Sequence, residues 1–149
     1  MPQPSAKLQI RRARLGDAGA AAELSRQLGY PASGKEMKQR LSKLLRLRHN
    51  AIFVAETLSR EVIGWLHVSV TPLLEASLRA EVNGLVVDEK RRSAGAGAKL
   101  LRAAERWAKS KGCKNMSVRS NVIRERAHTF YLRNGYQHYK TQKAFRKNL

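Results

Sequence analysis

The feature that most constrains this chain is an apolar segment that runs into a basic turn with two glycines and then into an amphipathic stretch. Residues 85–87 predict a buried strand, and residues 95–111 have the apolar periodicity of a helix. Glycine lets backbone N–H groups approach an anion closely, and a helix N-terminus carries a partial positive charge. Arg91 and Arg92 add charged hydrogen-bond donors. Residues 91–98, called the anion loop below, are therefore predicted to hold a ligand that carries phosphates.

Length and cysteine usage limit the class of protein. The chain has 149 residues, the usual size of one domain, so we predict a single domain over residues 1–149. It has no run of about 18 apolar residues and no signal-peptide pattern at its start, so no membrane segment is expected. Cys113 is the single cysteine, which excludes an intramolecular disulfide and favours a reducing cytoplasm. No activating partner is evident for it, and we interpret it as structural.

The formal net charge of +19 is unevenly distributed. From Lys90 onward the charge is +15, whereas the first 89 residues carry +4, so the excess lies in the half with the anion loop. Such a field attracts anionic ligands and speeds their capture, but it also attracts nucleic acid. Composition alone does not show whether the charge serves to capture a small anionic ligand or to bind nucleic acid.

Periodicity along the chain predicts alternating strands and helices. Short apolar or alternating runs predict strands near residues 8–10, 51–55, 62–68, 78–87 and 115–118. Helical spacing predicts helices over about residues 18–28, 34–47, 95–111 and 124–134. Asp17 is expected to cap the first helix, and the tail from Tyr136 to Phe145 is expected to be extended.

The strand near Val87, the helix after it and the strand from Asn115 form a crossover unit, so these two strands should run parallel. The other neighbouring strands should form antiparallel hairpins. The sequence thus predicts an α/β fold, a mixed sheet with helices on both faces. Ligands in such sheets bind at the carboxyl ends of strands, here beside the anion loop.

Several phosphate-binding classes are disfavoured by what the anion loop lacks. No Gly-Lys-Ser or Gly-Lys-Thr follows the loop, so a nucleotide triphosphatase is not expected. A dinucleotide site would have its glycines after the first strand and an acid about twenty residues later, which this chain lacks. His49, His67 and His138 show no metal-ligand spacing with one another or with Cys113, so no metal is predicted.

Two segments carry a resemblance to a known family. Arg92-Ser93-Ala94-Gly95-Ala96-Gly97 is similar to the pyrophosphate loop of GNAT-type N-acetyltransferases, which reads Arg or Gln, two residues, Gly, one residue, then Gly or Ala. The order of elements matches the family, and the segment from Asn121 to Tyr136 looks like its second motif. The resemblance covers nearly the whole chain and looks closest to the small-molecule branch, including the aminoalkylphosphonate type. It implies a central sheet of six to seven strands with a splayed parallel pair.

The resemblance also implies acetyl-CoA as cosubstrate and assigns residues to it. The pantetheine arm would lie along Leu85, Val86 and Val87. The residues implied around the pyrophosphate are Arg92, Ala94, Gly95, Ala96, Gly97 and Ala98. Arg91 would pair with the phosphates or remain a solvated arginine. Asn121 would lie near the pantetheine amide, cap the following helix, or do both.

For the chemistry, similar enzymes use a tyrosine at the position of Tyr131 as general acid. A phenol with a pKa of about 10 can protonate a thiolate whose conjugate acid has a pKa near 8.5; core packing is the alternative. Glu81, on the strand before the anion loop, is the best candidate for the base, acting through a water. An ion pair with Arg79 or a neighbour is the alternative. His128, one turn before Tyr131, is interpreted as structural or as lining the acceptor pocket.

We therefore predict an enzyme that transfers acetyl directly from acetyl-CoA to the amine of a small molecule. The chain has few carboxylates, so an amine that bears a phosphonate or carboxylate fits better than an aminoglycoside or a basic protein tail. The alternatives are a nucleic-acid-associated basic binding protein and a CoA-binding protein without transferase activity. Because dimers are frequent among similar proteins, a homodimer is compatible with the resemblance.

Overall fold

The computed structural model describes residues 7–120 and 122–149. The described residues separate into two compact units, the first ending at Arg119 and the second beginning at Ser120. The single domain expected from the length stays a prediction. No helix in the described ranges is long and apolar enough to cross a bilayer.

The first unit contains a five-stranded mixed sheet whose spatial order follows the chain order. Its strands are β1 (Gln9–Arg12), β2 (Asn50–Glu56), β3 (Val62–Thr71), β4 (Arg79–Val87) and β5 (Met116–Val118). The first four are antiparallel, and β4 and β5 are parallel, as the crossover predicted. The helices are α1 (Ala18–Leu28), α2 (Gly34–Leu44) and α3 (Ala96–Ser110), with 3-10 turns at Leu15–Asp17 and Glu89–Ala94.

The predicted number of six to seven strands is wrong for the described residues, which form five. The difference lies in the tail, where residues 137–149 form neither strand nor helix and are all exposed. A strand at the side of a packed sheet alternates buried and exposed side chains. Residues 137–149 show no such alternation and so have no face that packs on the sheet.

The second unit contains α4 (Glu125–Arg133), which agrees with the predicted helix. Gly135 has a φ of +90°, a left-handed conformation that favours glycine. The Tyr136 N–H donates to the Tyr131 carbonyl at 3.0 Å, which closes the helix end. Gly135 therefore follows the end of α4 in the conformation that glycine favours.

Helices cover both faces of the sheet in the first unit. On one face, Leu41 of α2 packs with Ile52 and Val54 of β2. On the other, Ala108 of α3 packs with Val70 of β3 in a cluster that includes Cys113. Burial raises the pKa of the Cys113 thiol, which keeps it protonated and unreactive.

Asp17 occupies the N-cap position of α1, as predicted, but the expected side-chain cap is absent. Its side chain makes no cap hydrogen bond to that helix; instead Asp17 accepts two hydrogen bonds of 2.8 Å from the Arg11 guanidinium and one of 2.7 Å from the Arg14 N–H. A bidentate guanidinium is a stronger partner for a carboxylate than a neutral amide. Arg11 also donates to Glu56 of β2 at 2.8 Å and 3.0 Å, so the cluster joins β1, the first 3-10 turn and β2.

Candidate active site

The anion loop leaves the sheet at the carboxyl end of β4. The Asp88 N–H donates to the Ile63 carbonyl at 2.7 Å, and the Asp88 carboxylate accepts from the Lys90 N–H at 3.1 Å. The Glu89 N–H donates to the Gln27 side chain at 3.1 Å, which ties the loop to α1. These bonds fix residues 88–90, which lead into the anion loop, to the sheet and to a neighbouring helix.

At the end of the loop, α3 begins with amides that no described side chain caps. Gly95 adopts a φ of +77° immediately before the helix and has no side chain with which to cap it. The amides of Ala96, Gly97 and Ala98 belong to the first turn, where helical N–H groups have no partner within the helix. A Cβ placed on Gly95 would meet nothing within 4 Å, so the space beside this residue, immediately before these amides, is open. This geometry fits a diphosphate at a helix N-terminus.

Beside the loop, β4 and β5 separate. β5 pairs only with Ala80, Glu81 and Val82 of β4. From Gly84 onward, β4 is paired with β3 on one side, and no described strand pairs with its other side. Leu85, Val86 and Val87 lie in this unpaired half, with Val86 buried and the other two half-buried. An extended ligand can pair with such a backbone edge, which is the place expected for a pantetheine arm.

Gly84 marks the start of the unpaired half of β4. A Cβ at this position would lie 2.8 Å from two carbons of the Trp65 ring, which covers the glycine from β3. The Trp65 Nε1 is buried and has no hydrogen-bond partner among the described residues. The strand needs glycine here because the indole occupies the space of a side chain.

The two arginines of the loop differ in their contacts. The Arg91 guanidinium donates to the Glu61 carboxylate at 2.7 Å, and both side chains are substantially exposed. Arg92 is exposed as well. Arg91 is thus held by an acid immediately before β3 in this structure, and an incoming phosphate would compete with Glu61 for it.

Glu81 lies on the face of the sheet that also carries α2. Its side chain is 20% exposed and pairs with the Arg119 guanidinium at 3.1 Å. The ion pair raised as an alternative for Glu81 is present, with Arg119 as the partner. The carboxylate is therefore half-buried beside a counter-charge rather than isolated.

A polar row crosses this face at the level of Glu81. In register, Asn50 lies opposite Ser69, Ser69 opposite Glu81, and Glu81 opposite Ser117. Side chains of paired residues share a face, so four strands contribute to one polar row. The Asn83 amide donates to the Ser69 hydroxyl at 2.7 Å, which places Asn83 on the same face.

His67 is a residue of this face that the sequence reasoning considered only as a metal ligand. Its Nε2 lies 2.7 Å from the Asn50 side-chain oxygen, and burial lowers its pKa, so the ring is neutral at neutral pH. The alternation of Trp65, His67 and Ser69 with apolar residues was the signal that could have identified this polar face.

Tyr131 lies in the second unit, in the middle of α4. Its ring makes edge-to-face contacts with Phe130 at 5.3 Å and with Tyr136 at 5.8 Å between centroids. Burial raises the pKa of Tyr131, so the phenol keeps its proton. His128 is half-buried one turn earlier. Asn121 lies outside the described residues.

Comparisons with known proteins agree with this arrangement. The sequence profile of the acetyltransferase (GNAT) family matches residues 20–136, a range that includes the anion loop and α4. An aminoglycoside N(6')-acetyltransferase type 1 from Klebsiella aerogenes is 27% identical over 105 residues, which cover 68% of this chain and 69% of that protein.

Solved structures share the fold. The aminoglycoside antibiotic 6'-N-acetyltransferase AAC(6')-Ih from Acinetobacter baumannii is 20% identical, with a TM-score of 0.83 over 96% of this chain and 99% of that chain. AAC(6')-Iy in complex with the bisubstrate analog CoA-S-monomethyl-acetylneamine is also 20% identical, with a TM-score of 0.84 over 96% and 99%. The profile covers most of the chain and supports the enzyme among the functions expected from the sequence. The chain belongs to the GNAT acetyltransferase family and is an acetyl-CoA-dependent N-acetyltransferase.

Proposed function

We propose that this enzyme moves acetyl directly from acetyl-CoA to the primary amine of a small molecule, with no covalent enzyme intermediate. The observation that carries the proposal is the unpaired half of β4 beside the open amides of the anion loop, with Glu81 on the same strand. The Klebsiella relative supports a small-molecule amine, since it is an aminoglycoside acetyltransferase.

Bound acetyl-CoA supplies an activated acetyl group as a thioester. Transfer forms a nitrogen–carbon bond and breaks the carbon–sulfur bond, so the sulfur must gain a proton and the nitrogen must lose one. The enzyme therefore needs an acid near the sulfur and a base near the amine.

Tyr131 is the proposed acid, by its match to the family's tyrosine. Its buried phenol stays protonated at neutral pH because burial raises its pKa. The phenol gives its proton to the leaving sulfur and regains one from solvent after the thiol departs.

Glu81 is the proposed base, acting through a water. The half-buried carboxylate lies in the polar row, where Ser69 and Asn83 offer groups that can position a water. Arg119 holds the carboxylate in place, and the proton removed from the amine passes through the water to Glu81.

For the acceptor, we propose an amine that also bears a phosphonate or carboxylate. Glu81 is the one carboxylate of the polar row, and Arg119 already neutralises it, so a polycation would find little negative charge there. An aminoglycoside is the second candidate, favoured by the Klebsiella relative.

A cytoplasmic location and a homodimer also stay predictions.

The test is a thiol-release assay with acetyl-CoA across aminophosphonates, amino acids, polyamines, peptides and an aminoglycoside. With the best acceptor, Tyr131→Phe should lower kcat at least about 100-fold while the Kd for CoA, measured by calorimetry, stays unchanged. Glu81→Gln should lower kcat/KM for the amine by a similar factor.

Tyr139→Phe and Glu75→Gln are the matched controls because they make the same chemical changes at exposed positions, and neither should alter turnover. If Tyr131→Phe keeps kcat within a factor of about 3, Tyr131 is not the acid. Preference for the aminoglycoside over the anionic amines would contradict the proposed acceptor class and leave the transferase assignment intact.

A further inference from the structure

A stripe of polar and basic side chains runs along the outer side of α2. Residues three and four positions apart share a helix face; the members on α2 are Lys35, Lys38, Gln39, Ser42 and Lys43, and Arg46 follows in the turn after the helix. Together with Leu15 they line a shallow groove of about 630 Å³. This set, called the basic stripe, contains no residue of the anion loop or of the polar row.

Within the part of the chain that the structure describes, the cations of the basic stripe form no ion pair. Residues 35–48 contain six Lys and Arg but one acid, Glu36. The Glu36 carboxylate accepts from the Ser33 N–H at 3.2 Å and lies 3.5 Å from Arg40, so it is already engaged. Across residues 7–120 and 122–149, the cations that make no ion pair include the exposed Lys35, Lys38, Lys43 and Arg46.

We propose that the basic stripe binds the phosphate backbone of double-stranded DNA. At a rise of about 1.5 Å per residue, Lys35 and Lys43 of α2 are about 12 Å apart along the helix, the length of three to four base steps of duplex, and Arg46 follows in the turn after the helix. Each cation can neutralise one phosphate and release its counterion. The groove has no aromatic side chain on which unpaired bases could stack, so a duplex fits better than a single strand.

An anionic membrane fits this surface less well. A helix that binds a bilayer surface must insert its apolar face. The apolar face of α2 carries Met37, Leu41 and Leu44, which pack against the sheet in the cluster of Ile52 and Val54. Because the apolar face of α2 is packed against the sheet, it cannot insert into a bilayer. The opposite side of the helix carries the basic stripe.

The experiment measures fluorescence anisotropy of a labelled DNA duplex of about 20 base pairs, from about 50 to about 200 mM salt, with saturating CoA to block the anion loop. Four phosphate contacts should weaken wild-type binding about 100-fold over this range. The double variant Lys38→Gln, Lys43→Gln should bind more weakly at low salt and lose only about 10-fold over the same range. A second double variant, Lys35→Gln, Arg46→Gln, should show the same weaker binding at low salt and the same smaller loss of affinity with salt.

The matched control is Lys143→Gln, Lys147→Gln, which removes the same charge from the exposed tail and should bind DNA like the wild type. Unchanged thiol-release turnover and CoA affinity show that each variant is folded. The proposal is overturned if the stripe and tail variants lose affinity equally, if wild type does not bind the duplex at low salt, or if stripe-dependent binding occurs with phosphatidylserine vesicles but not with DNA.

Discussion

Arg11 joins three segments of the first unit through one guanidinium group. It binds Asp17 of the 3-10 turn in bidentate fashion and Glu56 of β2, and all three side chains are at most 15% exposed. The guanidinium holds the pKa of Asp17 below its usual range. A largely buried cation of this kind is stabilising only while both carboxylates are ionised.

Asp17→Asn should lower the free energy of unfolding by about 2 kcal/mol, because the partly buried Arg11 loses a charged partner. Since the folded state has the lower pKa, this stabilisation is fully present above the unfolded value of 3.8 and is lost as pH falls below it. Urea titrations at several pH values measure both effects.

The wild type should therefore lose stability on acidification more steeply than Asp17→Asn does. Glu23→Gln is the control because it removes an exposed ion pair with Arg26, and its unfolding midpoint should match that of the wild type. An Asp17→Asn protein with wild-type stability would show that the cluster does not hold these segments together.

At the scale of elements, the junction of β4, the anion loop and α3 determines where a ligand can bind. Strand pairing stops at Val82 on the β5 side, while α3 begins at Ala96 with open amides. A backbone edge and a helix N-terminus therefore lie at the same end of β4. The strand–turn–helix order was readable from local periodicity, but the early end of β5 depends on a tertiary pairing.

Gly95→Val should raise the Kd for CoA at least about tenfold, because a side chain would occupy the open space before the α3 amides. Calorimetry measures the Kd, and circular dichroism confirms folding. Gly112→Val is the matched control, since Gly112 also has a positive φ and no neighbour within 4 Å but ends α3 rather than begins it. Both variants carry similar backbone strain. Equal CoA affinity in the two would refute the loop as the diphosphate site.

At the scale of the whole molecule, charge is the dominant property. The net charge of +19 is concentrated after Lys90, in the part of the chain that begins with the anion loop. CoA is a polyanion, so the field should increase its rate of encounter more than it strengthens the final complex. The basic stripe lies in the less charged half and is a separate local concentration of cations.

The association rate constant for CoA should fall several-fold between about 20 and about 200 mM salt, because mobile ions screen the field. The dissociation rate constant should change little over that range and serves as the internal control. Stopped-flow fluorescence measures both constants. An association rate independent of salt would show that long-range attraction has no part in capture.

Local patterns were enough to establish the element order, the crossover and the position of the anion loop. Periodicity, helix-ending glycines and loop chemistry act over a few residues, so they can be read directly. The pairing of Arg11 with Asp17 and Glu56, of Arg91 with Glu61, and of Glu81 with Arg119 could not be read in this way. Most of these partners are 30 or more residues apart, and strand register and packing bring them together. The number of strands could not be read from local patterns either, because a segment becomes a strand only when a neighbouring strand pairs with it through hydrogen bonds.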